Sequence, residues 1–136
     1  MPIIELDMLL AFVNKADSLH EKASKLFTKI VKGEMLNVKV AASAYLEYNL
    51  ILRSKGYTDE NVYQDVMMFK TIPNLGEIPL TSNIILEASN LRRKYRLTFF
   101  DSLHAASATI FDKEIISLDT AYANIKELKL TDPRLL

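Results

Sequence analysis

Hydrophobic positions along this chain switch period repeatedly. "PIIEL" (residues 2–6) is short, rich in Ile and carries an acid near its end, which predicts a first strand. "DMLLAFVNK" starts a short helix. In "DSLHEKASKLFTKIVKGE" the apolar residues Leu19, Ala23, Leu26, Phe27, Ile30 and Val31 recur at helical spacing. Ser18 with Glu21 three residues on gives that helix a capping signature, and Gly33 stops it. "LNVKVA" alternates as a strand. "SAYLEYNLILRSKG" predicts a helix closed by Gly56, and "TDENVYQDVMMFKTI" another that ends before Pro73.

The second half repeats the alternation. "GEIPL" is a short strand, "TSNIILEASNLRRKYR" a helix started by a Thr/Ser cap, and "FFDSLHAASATIFD" a strongly apolar, alanine-rich helix. "EIISL" predicts a strand, "DTAYANIKEL" a short helix and "KLTD" a last strand. Strands alternating with helices imply an α/β fold. The expectation is a three-layer α/β/α sandwich over residues 1–136, with a short parallel sheet of four to five strands and helices on both sides. Several helices separate the second strand from the third, so that crossover is long. In open sheets of this kind ligands gather beyond the carboxyl ends of the strands.

Composition narrows the chemistry. With 136 residues, 49% hydrophobic and 25% charged, the chain reads as one soluble globular domain with a real core. Lys plus Arg (17) equals Asp plus Glu (17), so binding a polyanion requires a local basic patch. The absence of cysteine excludes disulfides, thiolate metal sites and cysteine nucleophiles. Three isolated glycines form no phosphate-cradling loop. The N-terminal apolar run contains acids, follows no basic segment and is too short to span a membrane, so a cytoplasmic protein is expected.

The acids fall where the fold would put a ligand. Glu5 and Asp7 lie where the first strand runs into the first helix, and Glu47 about one turn into the helix after the second strand. Asp101 is in the first turn of the apolar helix, and Asp119 directly follows "IISL". Carboxylates brought together repel unless cations offset them. Oxygen ligands of this kind suit Mg²⁺ or Mn²⁺, which also engage phosphate.

The order "ELDMLLAFVNKADSLHEKA", "SAYLEYNLILR", "LTFFDSLHAASA" and "EIISLDTAYANI" resembles the PIN domain, the nuclease fold that includes VapC-type toxins. The resemblance spans nearly the whole chain. It implies a Mg²⁺- or Mn²⁺-dependent endoribonuclease that hydrolyses RNA phosphodiester bonds as the toxin of a toxin–antitoxin pair. Glu47, Asp101 and Asp119 match the family's acidic positions directly. Ser117 matches the Ser/Thr often found two residues before the last Asp. At the first position Met8, Leu9, Leu10 and Ala11 follow Asp7 at once, where the family usually has small polar residues. Asp7 is taken as the first acidic ligand, and Glu5 remains the alternative in register. An alternative reading is a degenerate, non-catalytic PIN-like module for binding or assembly. The resemblance further implies a small antitoxin covering the acidic pocket, and a homodimer. For self-association the sequence offers Tyr45, Tyr48, Met67, Met68 and Phe69, which could equally be core.

Each candidate also has a plainer reading. Thr98 stands three residues before Asp101, so the two could form a capping box. Asp119 could cap "TAYANI". Glu47 could be a solvated helix residue, although Ser43, Leu46, Leu50 and Ile51 set it beside the apolar face. His104 reads as a neutral histidine at the core boundary rather than a ligand or base, and His20 and His104 support no Ser-His-Asp arrangement. Arg92, Arg93, Lys94 and Arg96 in "RRKYR" suit a helix C-terminus as well as an RNA backbone. Arg53, six residues after Glu47, poses the same choice. Arg53, Arg92, Arg93 and Arg96 are the expected RNA contacts, with Tyr95 at most a stacking partner.

Overall fold

The structure is a computed structural model that describes residues 2–111 and 113–136. Five strands, β1 (Ile3–Ile4), β2 (Val38–Ala41), β3 (Leu75–Ile78), β4 (Glu114–Ile116) and β5 (Lys129–Thr131), form one parallel sheet in the order β3-β2-β1-β4-β5. The helices are α1 (Leu6–Val13), α2 (His20–Val31), α3 (Ala42–Ser54), α4 (Asp59–Lys70), α5 (Ser82–Lys94) and α6 (Phe99–Phe111). The expected parallel α/β sandwich is what forms. Asp112, the last residue of the expected apolar helix, lies outside the described residues.

Burial on both faces explains why the strands read as nearly continuous apolar runs. Adjacent residues point to opposite faces. Ile4, Val38, Val40 and Ile116 pack with α1 to α4, where Phe27, Tyr48 and Phe69 fill the first core. Ile3, Ala41, Ile78 and Ile115 face the second core under α5 and α6. The two helices contribute many alanines to it: Ala88 of α5 and Ala105, Ala106 and Ala108 of α6 are fully buried.

Local chemistry sets the boundaries. Gly33 (φ +75°) and Gly56 (φ +87°) close α2 and α3 in the left-handed conformation that glycine adopts freely. Asn74 donates from Nδ2 to the carbonyls of Ile30 and Val31 (both 3.1 Å), capping α2 from a distant loop. Pro79 follows β3 and cannot continue its ladder. Three expectations shift. The expected Ser18–Glu21 cap does not form, because Asp17 accepts from the Leu19 amide (2.8 Å) and α2 begins only at His20. The first strand stops at Ile4, since Glu5 already caps α1 by accepting from the Asp7 amide (3.4 Å). The short helix expected in "DTAYANIKEL" is a single 3₁₀ turn over Thr120–Asn124.

The order of the sheet locates its crevice. The chain winds outward from β1 through β2 to β3, then returns to the other side of β1 for β4 and β5. The reversal lies between β1 and β4, the position where open α/β sheets bind ligands. Glu5 directly follows β1, and Ser117 directly follows β4.

Candidate active site

The floor of this crevice is built from Glu5, Asp7 and Ser117. Glu5 is buried, with 6% of its surface exposed. Its backbone N–H donates to the Ile116 carbonyl (3.2 Å), which ties the end of β1 to β4. The Ser117 hydroxyl lies 3.2 Å from Glu5 Oε2 and 3.1 Å from Asp7 Oδ2, so one proton serves two acceptors. That hydroxyl also accepts from the Asp119 amide (2.9 Å). Asp7 Oδ2 accepts from the Leu118 amide (2.7 Å), whereas its Oδ1 is buried with no hydrogen-bond partner.

Above the floor stand Glu47, His104 and Asp101. His104 is buried in the middle of α6, and its Nε2 lies 2.8 Å from Glu47 Oε1 and 3.7 Å from Glu5 Oε1. Its Nδ1 lies 2.8 Å from Ser43 Oγ. Asp101 sits half-buried one turn before His104, and its Oδ1 accepts from the Tyr122 hydroxyl (3.2 Å). Asp119 is exposed at the rim, where its Oδ1 accepts from the Ala121 amide (2.9 Å).

The electrostatics follow from burial. Glu5 is pushed up to about 8, first by desolvation, then by the Asp7 charge and, more weakly, by Asp101. Asp7 is raised by burial, against the opposing hydrogen bonds from Leu118 and Ser117. Asp101 is raised by burial and by Asp119, and Tyr122 by burial and the surrounding acids. Among the described residues, no Lys or Arg lies within ion-pair distance of any of the five acids. Proton uptake is therefore the chain's own relief for the cluster.

The plainer readings come out unequally. Thr98 does cap α6, accepting from the Asp101 amide (3.3 Å), but the Asp101 carboxylate turns to Tyr122 instead of completing a capping box. Asp119 does cap its 3₁₀ turn. His104 is not at the core boundary: it is 1% exposed and bonded to an acid of the cluster. Its position three residues after Asp101 was the available signal. Tyr122 gave no signal beyond its closeness to Asp119. Ser43, His104 and Glu47 form a hydrogen-bonded chain, but Ser43 is 1% exposed and cannot meet a substrate as a nucleophile.

The basic candidates lie apart from the acids. Arg53 is exposed and paired with Asp59 (2.7 Å) across the α3–α4 turn. Arg92 donates to Ser102 Oγ (2.5 Å), beside Asp101, and lies over the Phe99 ring (5.2 Å). Arg93 bonds Asn90 within α5, and Arg96 is exposed after the helix end.

The donor set fits a hard divalent cation. Carboxylate oxygens converge from four segments, none pairs with a Lys or Arg among the described residues, and one buried Asp7 oxygen is unsatisfied. Glu5 rather than Asp7 faces Glu47 and His104, while both Asp7 hydrogen bonds run to the Ser117–Leu118 segment.

Comparison with known proteins finds the same fold in solved structures. The chain is similar over 98% of its length to 98% of a chain of a toxin–antitoxin complex from Klebsiella pneumoniae (TM-score 0.68, 14% identity). It is similar over 95% of its length to 99% of VapC20 of Mycobacterium tuberculosis, described as a sarcin-ricin loop cleaving toxin (TM-score 0.70, 14% identity). FitAcB from Neisseria gonorrhoeae is similar over the full length of both chains (TM-score 0.72, 14% identity). No curated protein sequence matches the chain. These likenesses concern the fold, and the family follows from the sequence itself: the model of the PIN domain matches residues 8–128, so this chain belongs to the PIN domain family.

Proposed function

We propose that this chain is a divalent-metal-dependent endoribonuclease, acting as the toxin of a toxin–antitoxin pair. The observation that carries the reading is the gathering of five acids at the β1/β4 reversal with no Lys or Arg paired to them among the described residues. Such a cluster costs folding energy in the absence of a cation, so it differs from acids scattered over a solvated surface. PIN domains are generally nucleases, and the similar solved structures include toxin–antitoxin complexes and a toxin described as cleaving the sarcin-ricin loop.

In this reading Glu5, Glu47, Asp101 and Asp119 hold Mg²⁺ or Mn²⁺, with Asp7 stationed behind Glu5. Glu5 takes the place expected of Asp7, because it follows β1 directly and faces Glu47 and Asp101. When bound by these residues, a divalent ion would supply a more acidic water and positive charge against the phosphodiester. Ser117 orients Glu5 and Asp7 with a single hydroxyl, and Tyr122 orients Asp101. Arg92, Arg93, Arg96 and Arg53 supply the phosphate contacts, with Arg92 nearest the site through Ser102. An antitoxin covers the acidic pocket, and the toxin works as a homodimer in the cytoplasm.

The test is RNA cleavage with Mg²⁺ or Mn²⁺, with EDTA as control. Cleavage is expected to require the ion and to vanish in Asp101→Asn while the circular dichroism spectrum is unchanged. An Asp101→Asn protein that cuts as well as the parent refutes the assignment. The second reading, a non-catalytic module, is favoured by the depth of Glu5 and its readiness to hold a proton. Calorimetric Mn²⁺ titration separates the two, since a degenerate site gives no heat that EDTA abolishes.

A further inference from the structure

We infer that His104 is a positioning residue, fixing the Glu47 carboxylate in the site through its Nε2–H while Ser43 dictates which ring nitrogen bears the proton. The inference rests on the metal-dependent reading above and assigns a role that the family's acidic motif does not include.

The geometry starts on α3. Ser43 and Glu47 stand four residues apart, so they share one helix face about 6 Å apart along the axis. The single imidazole of His104, reaching across from α6, bonds both at 2.8 Å, one with each nitrogen. A carboxylate can only accept, so Nε2 must donate to Glu47 Oε1. In the neutral ring Nδ1 is then an acceptor, and the Ser43 hydroxyl must donate to it. Glu5 Oε1, at 3.7 Å, is too far to share the Nε2 proton.

The surroundings leave little slack. Ser43 and His104 are each 1% exposed, so water cannot replace either bond. The Phe100 ring lies along the imidazole face, with centroids 6.2 Å apart and planes 26° apart. Ser43 Oγ has no other hydrogen bond among the described residues. Glu47 is partly buried, with 22% of its side chain exposed, and His104 occupies only its Oε1. Oε2 has no hydrogen-bond partner among the described residues. A histidine so placed resembles the outer-shell groups that orient metal-binding carboxylates.

Two measurements test the role. Long-range ¹H–¹⁵N spectra of the metal-free protein should show His104 as a single Nε2–H tautomer, unchanged when Mg²⁺ is added. Ser43→Ala should then give a mixture of tautomers. Mn²⁺ titration by calorimetry compares the parent with His104→Asn and His104→Gln. The Asn amide reaches only the Nδ1 position, and this variant should bind Mn²⁺ about tenfold more weakly or worse, the range found for outer-shell partners. The Gln amide reaches the Nε2 position and should recover most of the affinity. If His104→Asn fails to fold, Ser43→Ala decides, with weakened Mn²⁺ binding expected and unchanged binding overturning the role. A proton on Nδ1 in the parent overturns it, as does loss of the Nε2 proton on adding Mg²⁺, which would make the ring itself a ligand. His104→Asn binding as tightly as the parent sinks the positioning role and leaves the nuclease reading standing. A parent that binds no Mn²⁺ sinks both.

Discussion

Glu5 shows how one buried acid can govern the stability of a fold. Its folded-state value of about 8 stands above the ordinary 4.5. Between these two values the folded chain holds more protons than the unfolded chain, so stability must fall as pH rises through that window. The contribution is fully present below about 4.5 and is lost as pH climbs through 8. The upward displacement of Asp7 and Asp101 acts in the same direction. In EDTA the melting temperature should therefore drop between pH 5.5 and pH 8, and Glu5→Gln should flatten that drop. A parent melting curve that rises over this range contradicts the burial argument. Tyr122 offers a second single-residue check. Tyr122→Phe removes the donor to Asp101 and should cost about 1 kcal/mol in urea unfolding at pH 8. Neither Tyr122 nor the depth of His104 was legible from sequence. Each gains its role from a partner more than 20 positions away, Asp101 for the one and Glu47 for the other.

At the scale of elements, α6 separates the helix cap from the Asp101 carboxylate. The cap belongs to Thr98, and the carboxylate is left for the crevice. The two functions can therefore be removed separately. Thr98→Ala should destabilise the protein by about 1 kcal/mol in denaturant. Asp101→Asn keeps the cap and should leave the unfolding midpoint at pH 8 level with the parent or above it. Many elements were readable because they have their own period and stop: Gly33 and Gly56 mark ends that the structure keeps, whereas the strand read through Pro79 ends at Ile78. What sequence could not supply was the exchange between neighbours at the ends. Asp17 outcompetes Ser18 ahead of α2, and Glu5 turns from strand to cap because its carboxylate meets the Asp7 amide. That turn also explains why the sequence leaves two candidates for the first acid. With the strand broken at Ile4, Glu5 and Asp7 do not share one face of a strand; they share the start of a helix.

Across the whole molecule, neutrality hides a division of charge. The acids pool at one end of the sheet, while Arg92, Arg93, Lys94 and Arg96 gather at the end of α5. Neutralising Arg92, Arg93 and Arg96 to Gln in an Asp101→Asn background should weaken RNA binding. It should also flatten the dependence on salt, by roughly 0.7 in log–log slope for each phosphate left without its arginine. An unchanged slope would leave these residues as helix-terminal charges. The apolar residues considered for self-association divide: Tyr48 and Phe69 are core, whereas Met67 and Met68 are exposed. Sedimentation at several concentrations should show a dimer, and a monomer throughout counts against one.

The pairing of β1 with β4 gives the site a timetable. Glu5 and the Ser117 hydroxyl that orients it are separated by 112 positions, and the intervening chain must be folded around them before they meet. Pairings of such long range form late in folding, and a chain still being synthesised cannot form them at all until its last strands emerge. A ribosome-bound fragment ending before Lys113 has Glu5, Glu47 and Asp101 but neither Ser117 nor Asp119, and its sheet lacks the strand that closes on β1. If the folded chain cuts RNA, a nascent fragment lacking β4 and β5 should not, so activity should begin only once β4 has paired with β1.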